Sequence, residues 1–257
     1  FLPRDGYRYG QAFVMTYIRP ESFLGIREIR PHTSYFEYRD IGSDFVQSAR
    51  WHVDTHFEWQ DGMEFHPGFN WVKEGIEAPF QIHPGDPNDP SDLGVWVPAG
   101  NYDGWEAQWV FYTDESSLVS FNGGVNVGSF LSGSRVSPYG TVVFRPSPSF
   151  STSVRVDHND VDLDLEPGVR DTFKENVVGV RLSYFLSPNI SIQSLTQYAD
   201  RADIWSTNVR FSWLDDAGSG LFVVFNQANG FDTRSRDTPL NRSFVIKYSK
   251  LLNVARW

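Results

Sequence analysis

One long alternating segment constrains the fold of this chain more than any other feature. Residues 45–60, FVQSARWHVDTHFEWQ, alternate between two faces over their whole length. The apolar face carries Phe45, Ala49, Trp51, Val53, Thr55, Phe57 and Trp59, and the polar face carries Ser48, Arg50, His52, Asp54, His56 and Glu58. Strands of soluble proteins usually have about 5–6 residues, so this segment is more than twice the usual length. It therefore predicts a strand with lipid on one side and water on the other.

The two tryptophans of this segment support the same prediction. Trp51 and Trp59 lie eight residues apart on the apolar face. At about 3.3 Å per residue they are about 26 Å apart, close to the ~25 Å apolar band of an outer-membrane barrel. The same spacing recurs between Trp205 and Trp213. We expect these rings to mark the two membrane interfaces.

The composition excludes several other classes of protein. The 257 residues contain no apolar run of about 18 residues that would form a spanning helix. The net charge of −10 argues against nucleic acid as a partner, and the lack of cysteine suits an exported bacterial protein. The opening FLPRDGYRYG has neither the apolar core nor the cleavage site of a signal peptide. We therefore expect the sequence to be a mature form or a fragment.

Alternation and turn residues predict thirteen strands along the chain. They are expected near 10–19, 31–39, 45–60, 63–74, 104–114, 117–131, 134–146, 149–158, 174–186, 189–199, 203–214, 220–228 and 241–251. Short turns alternate with more variable connections, and the longest connections are 75–103, 159–173 and 229–240. Outer-membrane barrels place long loops outside the cell and have an even number of strands. The odd count indicates strands upstream of this sequence, or one weak strand that the pattern does not show.

The sequence thus predicts an all-β protein, an antiparallel transmembrane β-barrel of the bacterial outer membrane with about 13–14 strands. Residues 1–257 are expected to form a single barrel domain, as part of a larger barrel if strands precede it. The membrane-interface aromatics are predicted to be Trp51, Trp59, Trp71, Trp105, Trp205 and Trp213. The alternative is a soluble β-sandwich, which would leave a very large aromatic surface to be covered by something else.

Seven runs of residues resemble a known family in the family's own order. They are IREIRPHTSYFEYRD, ARWHVDTHFEW, NWVKEGIEAPFQI, GNYDGWEAQWVFYT, ADIWSTNVRFSWL, GLFVVFNQANG and NRSFVIKYSKLL. They are similar to the C-terminal barrel region of uncharacterised bacterial outer-membrane proteins that carry a family-nine-like carbohydrate-binding module at the N-terminus. The resemblance implies further strands before the first residue. The module has no counterpart here, so no sugar-binding or catalytic residue follows from the resemblance.

The polar face of residues 45–60 carries the residue types that bind metals. The candidate cluster comprises His52, Asp54, His56 and Glu58, followed across a hairpin by Glu64 and His66. The apolar residues of both strands share a face only if paired residue numbers sum to an even value. A three-residue turn makes this sum 122 or 124, so His56 faces His66 or Gly68 and Glu58 faces Glu64 or His66. Such a cluster suits a first-row metal or proton handling, although a hydrogen-bonded network lining a lumen is the favoured interpretation.

Two other segments are candidates for function. An acidic stretch offers oxygen ligands at alternate positions for calcium, namely Asp157, Asp160, Asp162, Asp164 and Glu166. It lacks the spacing of an EF-hand loop, so a solvated external loop is the favoured interpretation. The segment HPGDPNDPSDLGVWVPAG, residues 83–100, is long enough for a lumen plug or a partner-binding surface. Ordered packing of Trp96 against the barrel is the alternative.

No motif in the chain predicts an enzyme. Its serines lie in strands and turns rather than in a nucleophile elbow, and it has neither a zincin helix nor a phosphate loop. We expect no cofactor, with a divalent metal as the one exception. The expected function is a barrel that anchors or docks a surface or periplasmic module or a partner subunit, and the alternative is a passive or gated channel for small solutes or saccharides. The expected partners are outer-membrane lipid and lipopolysaccharide, together with a protein that completes an assembly.

Overall fold

The regular secondary structure of the described residues consists of β-strands. The structure, a computed structural model, describes residues 6–85, 89, 91–166, 169–215, 219–230 and 240–251. The strands are β1 (Tyr7–Met15), β2 (Ile26–Asp40), β3 (Val46–Trp59), β4 (Glu64–Ile76), β5 (Phe80–His83), β6 (Val95–Val97), β7 (Gly100–Tyr112), β8 (Val119–Phe130), β9 (Gly133–Ser147), β10 (Phe150–Glu166), β11 (Val169–Ser187), β12 (Ile190–Ala199), β13 (Ile204–Leu214), β14 (Gly220–Gly230) and β15 (Asn241–Ser249). The all-β prediction is confirmed.

Thirteen of these strands form one large antiparallel sheet. Neighbours in the sheet follow chain order, from β1 to β4 and then from β7 to β15, while β5 and β6 pair with each other in a separate sheet. Each of the thirteen predicted strands overlaps one strand of the large sheet. Pairing between β1 and β15, which would close the sheet into a barrel, is not found among the described residues.

The chain divides into two compact units. The first contains Phe1–Asp114, Asn122–Tyr139 and His158–Lys174, and the second contains Glu115–Phe121, Gly140–Asp157 and Glu175–Trp257. Strands β1 to β7 lie entirely within the first unit, and β12 to β15 lie entirely within the second.

In the first unit several polar side chains are buried while large apolar side chains are exposed, which is the reverse of the usual distribution in a soluble protein. On β3, the apolar residues Trp51 and Val53 are 54% and 44% exposed, whereas Asp54 and Glu58 are 3% and 9% exposed. Successive side chains of a strand point to opposite faces, so this difference separates the two faces of the sheet. We call the face that carries Asp54 the polar face and the face that carries Trp51 the apolar face.

The second unit shows the same distribution. Ser183 and Ser212 are buried, while their neighbours Leu182 and Trp213 are exposed. In the described part of the chain, the buried polar side chains are Glu28, Ser48, Asp54, Glu58, Asn70, Ser120, Ser137, Ser183, Ser212 and Ser219. Burial of carboxylates and an amide is costly unless they are paired, so partners within the polar face are required.

The long connection predicted at 75–103 contains a small hairpin, formed by β5 and β6. The sequence pattern does not show these two short strands. Val95 and Val97 of the hairpin are buried in a cluster with Val161, Leu163 and Phe173. Trp96 lies between the two valines in sequence but is 48% exposed, and its Nε1 donates a hydrogen bond to the carbonyl of Leu93 at 3.0 Å. Val95 and Val97, rather than Trp96, are thus the residues of this hairpin that belong to the buried cluster.

The acidic stretch is strand rather than the predicted external loop. β10 continues to Glu166 and β11 begins at Val169, so most of the segment 159–173 is paired backbone. Val161 and Leu163 alternate here with aspartates. The β5–β6 hairpin covers these two apolar side chains. Alternation with a buried face specifies a strand. The loop prediction was wrong because this apolar partner is distant in sequence.

The β3–β4 hairpin has one of the two registers that the sequence allows. Asp54 faces Gly68, Phe57 faces Phe65 and Glu58 faces Glu64, so the paired numbers sum to 122. Gly68 is required by close packing, since a Cβ at this position would lie 3.0 Å from Oδ2 of Asp54 and 2.9 Å from Cγ of Gln108. The register therefore positions the polar residues of three neighbouring strands side by side.

This register is testable by disulfide formation, since the chain has no cysteine of its own. Val53 faces Phe69, so the double variant Val53→Cys/Phe69→Cys is expected to form an intramolecular disulfide on mild oxidation, because facing Cβ atoms lie about 4.5–5.5 Å apart. The matched control Val53→Cys/Trp71→Cys samples the register that sums to 124. Gel mobility and thiol labelling measure the outcome, and preferential cross-linking of the control pair would contradict the register.

Candidate functional site

The candidate site lies on the polar face of β2, β3, β4 and β7, within the first unit. Two adjacent rows of facing residues cross these four strands. One row contains His32, Asp54, Gly68 and Gln108, and the next contains Ser34, His52, Asn70 and Glu106. Because the strands are antiparallel and the rows are neighbours, side chains far apart in sequence are within contact distance.

His32, His52 and Asp54 form the first cluster of metal-binding residue types. The Nε2 atoms of the two histidines are 3.1 Å apart, and Nε2 of His52 lies 3.5 Å from Oδ2 of Asp54. One ligand atom from each residue lies within 4.8 Å of those of the other two. His32 is absent from the cluster predicted from sequence. Its position in the alternating run of β2 shows that it shares a face with Arg30 and Ser34, but only the pairing of β2 with β3 brings it to Asp54.

His56, Glu64 and His66 form the second cluster. The rings of His56 and His66 are stacked, with centroids 3.7 Å apart and an angle of 8° between the planes. Nε2 of His66 lies 2.7 Å from Oε2 of Glu64. Of the two partners predicted for His56, which were His66 and Gly68, the structure places His66 beside it. Nε2 of His56 also lies 3.8 Å from Oδ1 of Asp54, so the two clusters are neighbours.

Glu58 belongs to a separate group of ion pairs. It pairs with Arg27 and, at 3.5 Å, with Arg30. The guanidinium of Arg30 also lies 3.6 Å from Glu28 and 3.2 Å from Glu64. The predicted six-residue cluster therefore divides into two histidine clusters and an arginine-centred network. Arg30 is shared by these three carboxylates, while Arg19 pairs with Glu28 at 2.7 Å and Arg27 pairs with Glu58. The three arginines together balance the three carboxylates, which permits the burial of Glu28 and Glu58.

Asn70 is fully buried and connects the residues around it. Its Oδ1 accepts a hydrogen bond from Nε of Arg50 at 2.9 Å and lies 2.6 Å from Nδ1 of His52. Its Nδ2 donates to Oε1 of Glu106 and Oε1 of Gln108, each at 3.1 Å. Arginine only donates and an ionised carboxylate only accepts, so these partners determine which end of the amide is oxygen. The amide thereby orients the ring of His52.

A cavity of about 550 Å³ opens next to this network in the first unit. Arg50, Glu106 and Arg135 contribute charged walls, while Phe80 and Ile82 of β5 contribute apolar ones. Oε1 of Glu106 lies 3.7 Å from Arg50, and its Oε2 lies 3.4 Å from Arg135. The cavity is therefore bounded by ion-paired side chains on one side and by the β5–β6 hairpin on another.

The residues of the acidic stretch are paired with arginine or lysine. Asp157 lies 2.5 Å from Arg155, Asp160 lies 2.9 Å from Lys174, and Asp162 accepts two hydrogen bonds from Arg170. Asp164 lies 4.0 Å from Arg170. Asp157 lies on the opposite face of β10 from the other three aspartates, because strand faces alternate. The side chain of Glu166 lies outside the described residues. The aspartates are thus placed beside cations rather than around a common point.

The predicted interface tryptophans lie on the apolar face. In the first unit Trp51 faces Trp71, Trp71 faces Trp105, and Tyr35 faces Trp51, so aromatic rings form a row across four strands. Trp105, Trp205 and Trp213 are exposed, as is Trp51, whereas Trp59 and Trp71 are partly covered. Nε1 of Trp59 donates to the carbonyl of Leu24 at 3.1 Å. The row forms an aromatic band in this unit, in which Tyr35, Trp51 and Trp105 are exposed and Trp71 is partly covered.

Comparisons with known proteins do not identify this chain further. No model of a known protein family matches it, and no curated protein matches it either. In the described ranges, no helix has the length and apolar character needed to span a membrane. The features of this chain that bear on its function are the two faces of the sheet and the residues of the polar face.

Replacement of Asn70 by leucine tests whether this residue holds the polar network together. Asn70→Leu leaves Arg50, His52, Glu106 and Gln108 without a shared partner and is expected to lower the free energy of unfolding by about 2–4 kcal/mol. Asn101→Leu, on the exposed surface of β7, is the matched control and is expected to change it by less than about 0.5 kcal/mol. Urea unfolding of the detergent-solubilised protein measures both, and equal effects would contradict the role of Asn70.

Proposed function

We propose that this chain forms a transmembrane β-sheet of the bacterial outer membrane and acts as an anchor or docking scaffold for a partner protein. One observation carries the proposal: the polar side chains are buried while the large apolar side chains are exposed. Asp54, Glu58 and Asn70 are covered, whereas Trp51 and Trp105 are more than half exposed. In water this arrangement would expose a large aromatic surface. In a bilayer the apolar face contacts lipid and the polar face is shielded from it.

The change of residue type along β10 supports a membrane boundary. The face of β10 that carries Val154 and Val156, both exposed, carries Asp160, Asp162 and Asp164 further along. The opposite face becomes apolar over the same length, where it packs against the β5–β6 hairpin. A strand that leaves the apolar band exchanges a lipid-facing surface for a water-facing one. The acidic end of β10 therefore corresponds to the part of the strand beyond the membrane.

Two features favour a scaffold over a channel. The charges of the polar face are largely paired with each other, as in the network around Arg30, so they stabilise a wall rather than attract a permeating ion. The β5–β6 hairpin packs by Val95 and Val97 onto β10 and β11, where an open pore would have a polar surface. Both features suit a rigid support.

The edges of the sheet supply a docking surface for a partner. β1 pairs only with β2, and β15 pairs only with β14, in the part of the chain that the structure describes. An edge strand presents unpaired backbone donors and acceptors that another chain can extend. A partner that completes the sheet would use these edges. The sequence resemblance to barrels that follow a binding module also supports an anchoring role.

Lipid contact is testable by an arginine substitution on the apolar face. Val53→Arg is expected to reduce the free energy of folding into phospholipid vesicles by about 1–3 kcal/mol, because arginine costs about 2–4 kcal/mol at the bilayer midplane and less towards the interface expected at Trp51. Leu93→Arg, at a position 75% exposed outside the large sheet, is the matched control and is expected to change it by less than about 0.5 kcal/mol. Tryptophan fluorescence during urea titration measures both. A negligible effect of Val53→Arg would contradict lipid contact.

Conductance distinguishes the scaffold from the channel. The purified chain added to planar lipid bilayers is expected to produce no stable conductance steps. The reason is that ion pairs join neighbouring strands across the polar face and the β5–β6 hairpin covers part of it. Insertion is verified in parallel by protection from protease in vesicles. Reproducible conductance steps from inserted protein would overturn the scaffold and support a channel for small solutes.

A further inference from the structure

We propose that His32, His52 and Asp54 bind a divalent first-row transition metal of the Zn²⁺ class. The site joins β2 to β3, since His32 faces Asp54 across the two strands. Two imidazole nitrogens and one carboxylate oxygen form a ligand set that suits zinc and its neighbours, whereas calcium and magnesium prefer oxygen ligands alone. This inference is independent of the partner that the sheet docks.

The spacing of the ligand atoms agrees with a shared metal. Bonds of about 2.0–2.1 Å in a tetrahedral arrangement place ligand atoms about 3.3–3.4 Å apart. Nε2 of His32 and Nε2 of His52 are 3.1 Å apart, and Nε2 of His52 is 3.5 Å from Oδ2 of Asp54. The ligand atoms of His32 and Asp54 lie within 4.8 Å of each other, so small movements of the side chains bring all three atoms within bonding distance of one cation.

The hydrogen bonds of the two histidines direct their lone pairs towards each other. Oδ1 of Asn70 accepts from Arg50, so Nδ1 of His52, 2.6 Å from the same oxygen, carries a proton and donates. Nε2 of a neutral His52 is then an acceptor. Nδ1 of His32 lies 3.5 Å from the carbonyl oxygen of Arg30, which favours a proton there as well. Two facing acceptors 3.1 Å apart repel each other unless a cation lies between them.

The charge of Asp54 supplies a second, independent argument. This carboxylate is 3% exposed, and its Oδ1 accepts no hydrogen bond. Its only ion-pair partners among the described residues are His52 and His56, at 3.5 and 3.8 Å. A buried carboxylate without a cation is strongly disfavoured. A divalent metal would provide the missing charge without protonation of either histidine.

The second histidine cluster lacks this need for a cation. Glu64 already has Arg30 at 3.2 Å and His66 at 2.7 Å, so its charge is compensated. The rings of His56 and His66 stack in parallel rather than directing their nitrogens to one point. For these reasons the metal is assigned to the cluster of Asp54. The second cluster supplies a matched control.

Cobalt is the probe for this site, because its visible absorption reports on nitrogen coordination and on coordination number. Untagged full-length chain, folded in detergent and stripped of metal, is titrated with Co²⁺, and Zn²⁺ is then added as a competitor. One equivalent of Co²⁺ is expected to bind, with a spectrum of low coordination number that Zn²⁺ abolishes. Loss of an outer-shell partner of a metal site lowers metal affinity roughly 10–100-fold. His32 and His52 are proposed as direct ligands, so His52→Gln and His32→Gln are each expected to lower Co²⁺ affinity by more than this.

The control variant is His66→Gln, which changes the second cluster and is expected to leave Co²⁺ affinity and spectrum unchanged. Folding of each variant is checked by its migration on a gel with and without heating, so loss of binding is not confused with loss of structure. Absence of Co²⁺ binding at millimolar concentration in the folded wild-type chain would overturn the site. So would undiminished binding in a folded His32→Gln or His52→Gln variant. Membrane insertion is measured separately, so failure of the metal site and failure of the scaffold are distinguishable.

Discussion

The structure depends on the alternation of side chains in antiparallel strands. Because the side-chain period of a strand is two residues, a shift of register by one residue would move every polar group of that strand to the other face. In this chain the shift would place Asp54 among the exposed aromatic rings and Trp51 among the ion pairs. The β3–β4 register, in which Asp54 faces Gly68, avoids this. The polarity of each face, the polar network and the proposed lipid contact all follow from this register.

The polar face shows how a β-sheet can bury charge. Arg30 lies close to three carboxylates and compensates them together with Arg19 and Arg27. Asn70 orients the donors and acceptors around it. Asp54 differs from these residues because its ion-pair partners in the described part of the chain are two imidazoles, while the side-chain amide of Gln108 donates a hydrogen bond to its Oδ2 at 3.3 Å. The same face therefore contains one network whose charges are balanced and one site at which a cation is missing. This contrast, rather than the number of histidines, assigns the metal to the cluster of Asp54.

The β5–β6 hairpin and β10 depend on each other for their structure. The hairpin buries Val95 and Val97 only because β10 presents Val161 and Leu163. β10 in turn continues as a strand through its acidic end, with aspartates on one face and these apolar residues on the other. Neither segment has a complete apolar core within its own sequence. This mutual dependence explains why both segments, considered separately, have the composition of loops.

The sequence by itself determined the thirteen strands of the large sheet and the polarity of their faces, because these follow from a local period of two residues and from turn residues. It did not show β5, β6 or the acidic end of β10 as strand. It also limited the β3–β4 hairpin to two registers. Tertiary structure decided between them, and in the register that it adopts Gly68 lies against Asp54 and Gln108. Only tertiary structure brought His32 to His52, since the pairing of β2 with β3 joins residues twenty positions apart. Contacts between distant segments decide where charges are compensated, and no local pattern records them.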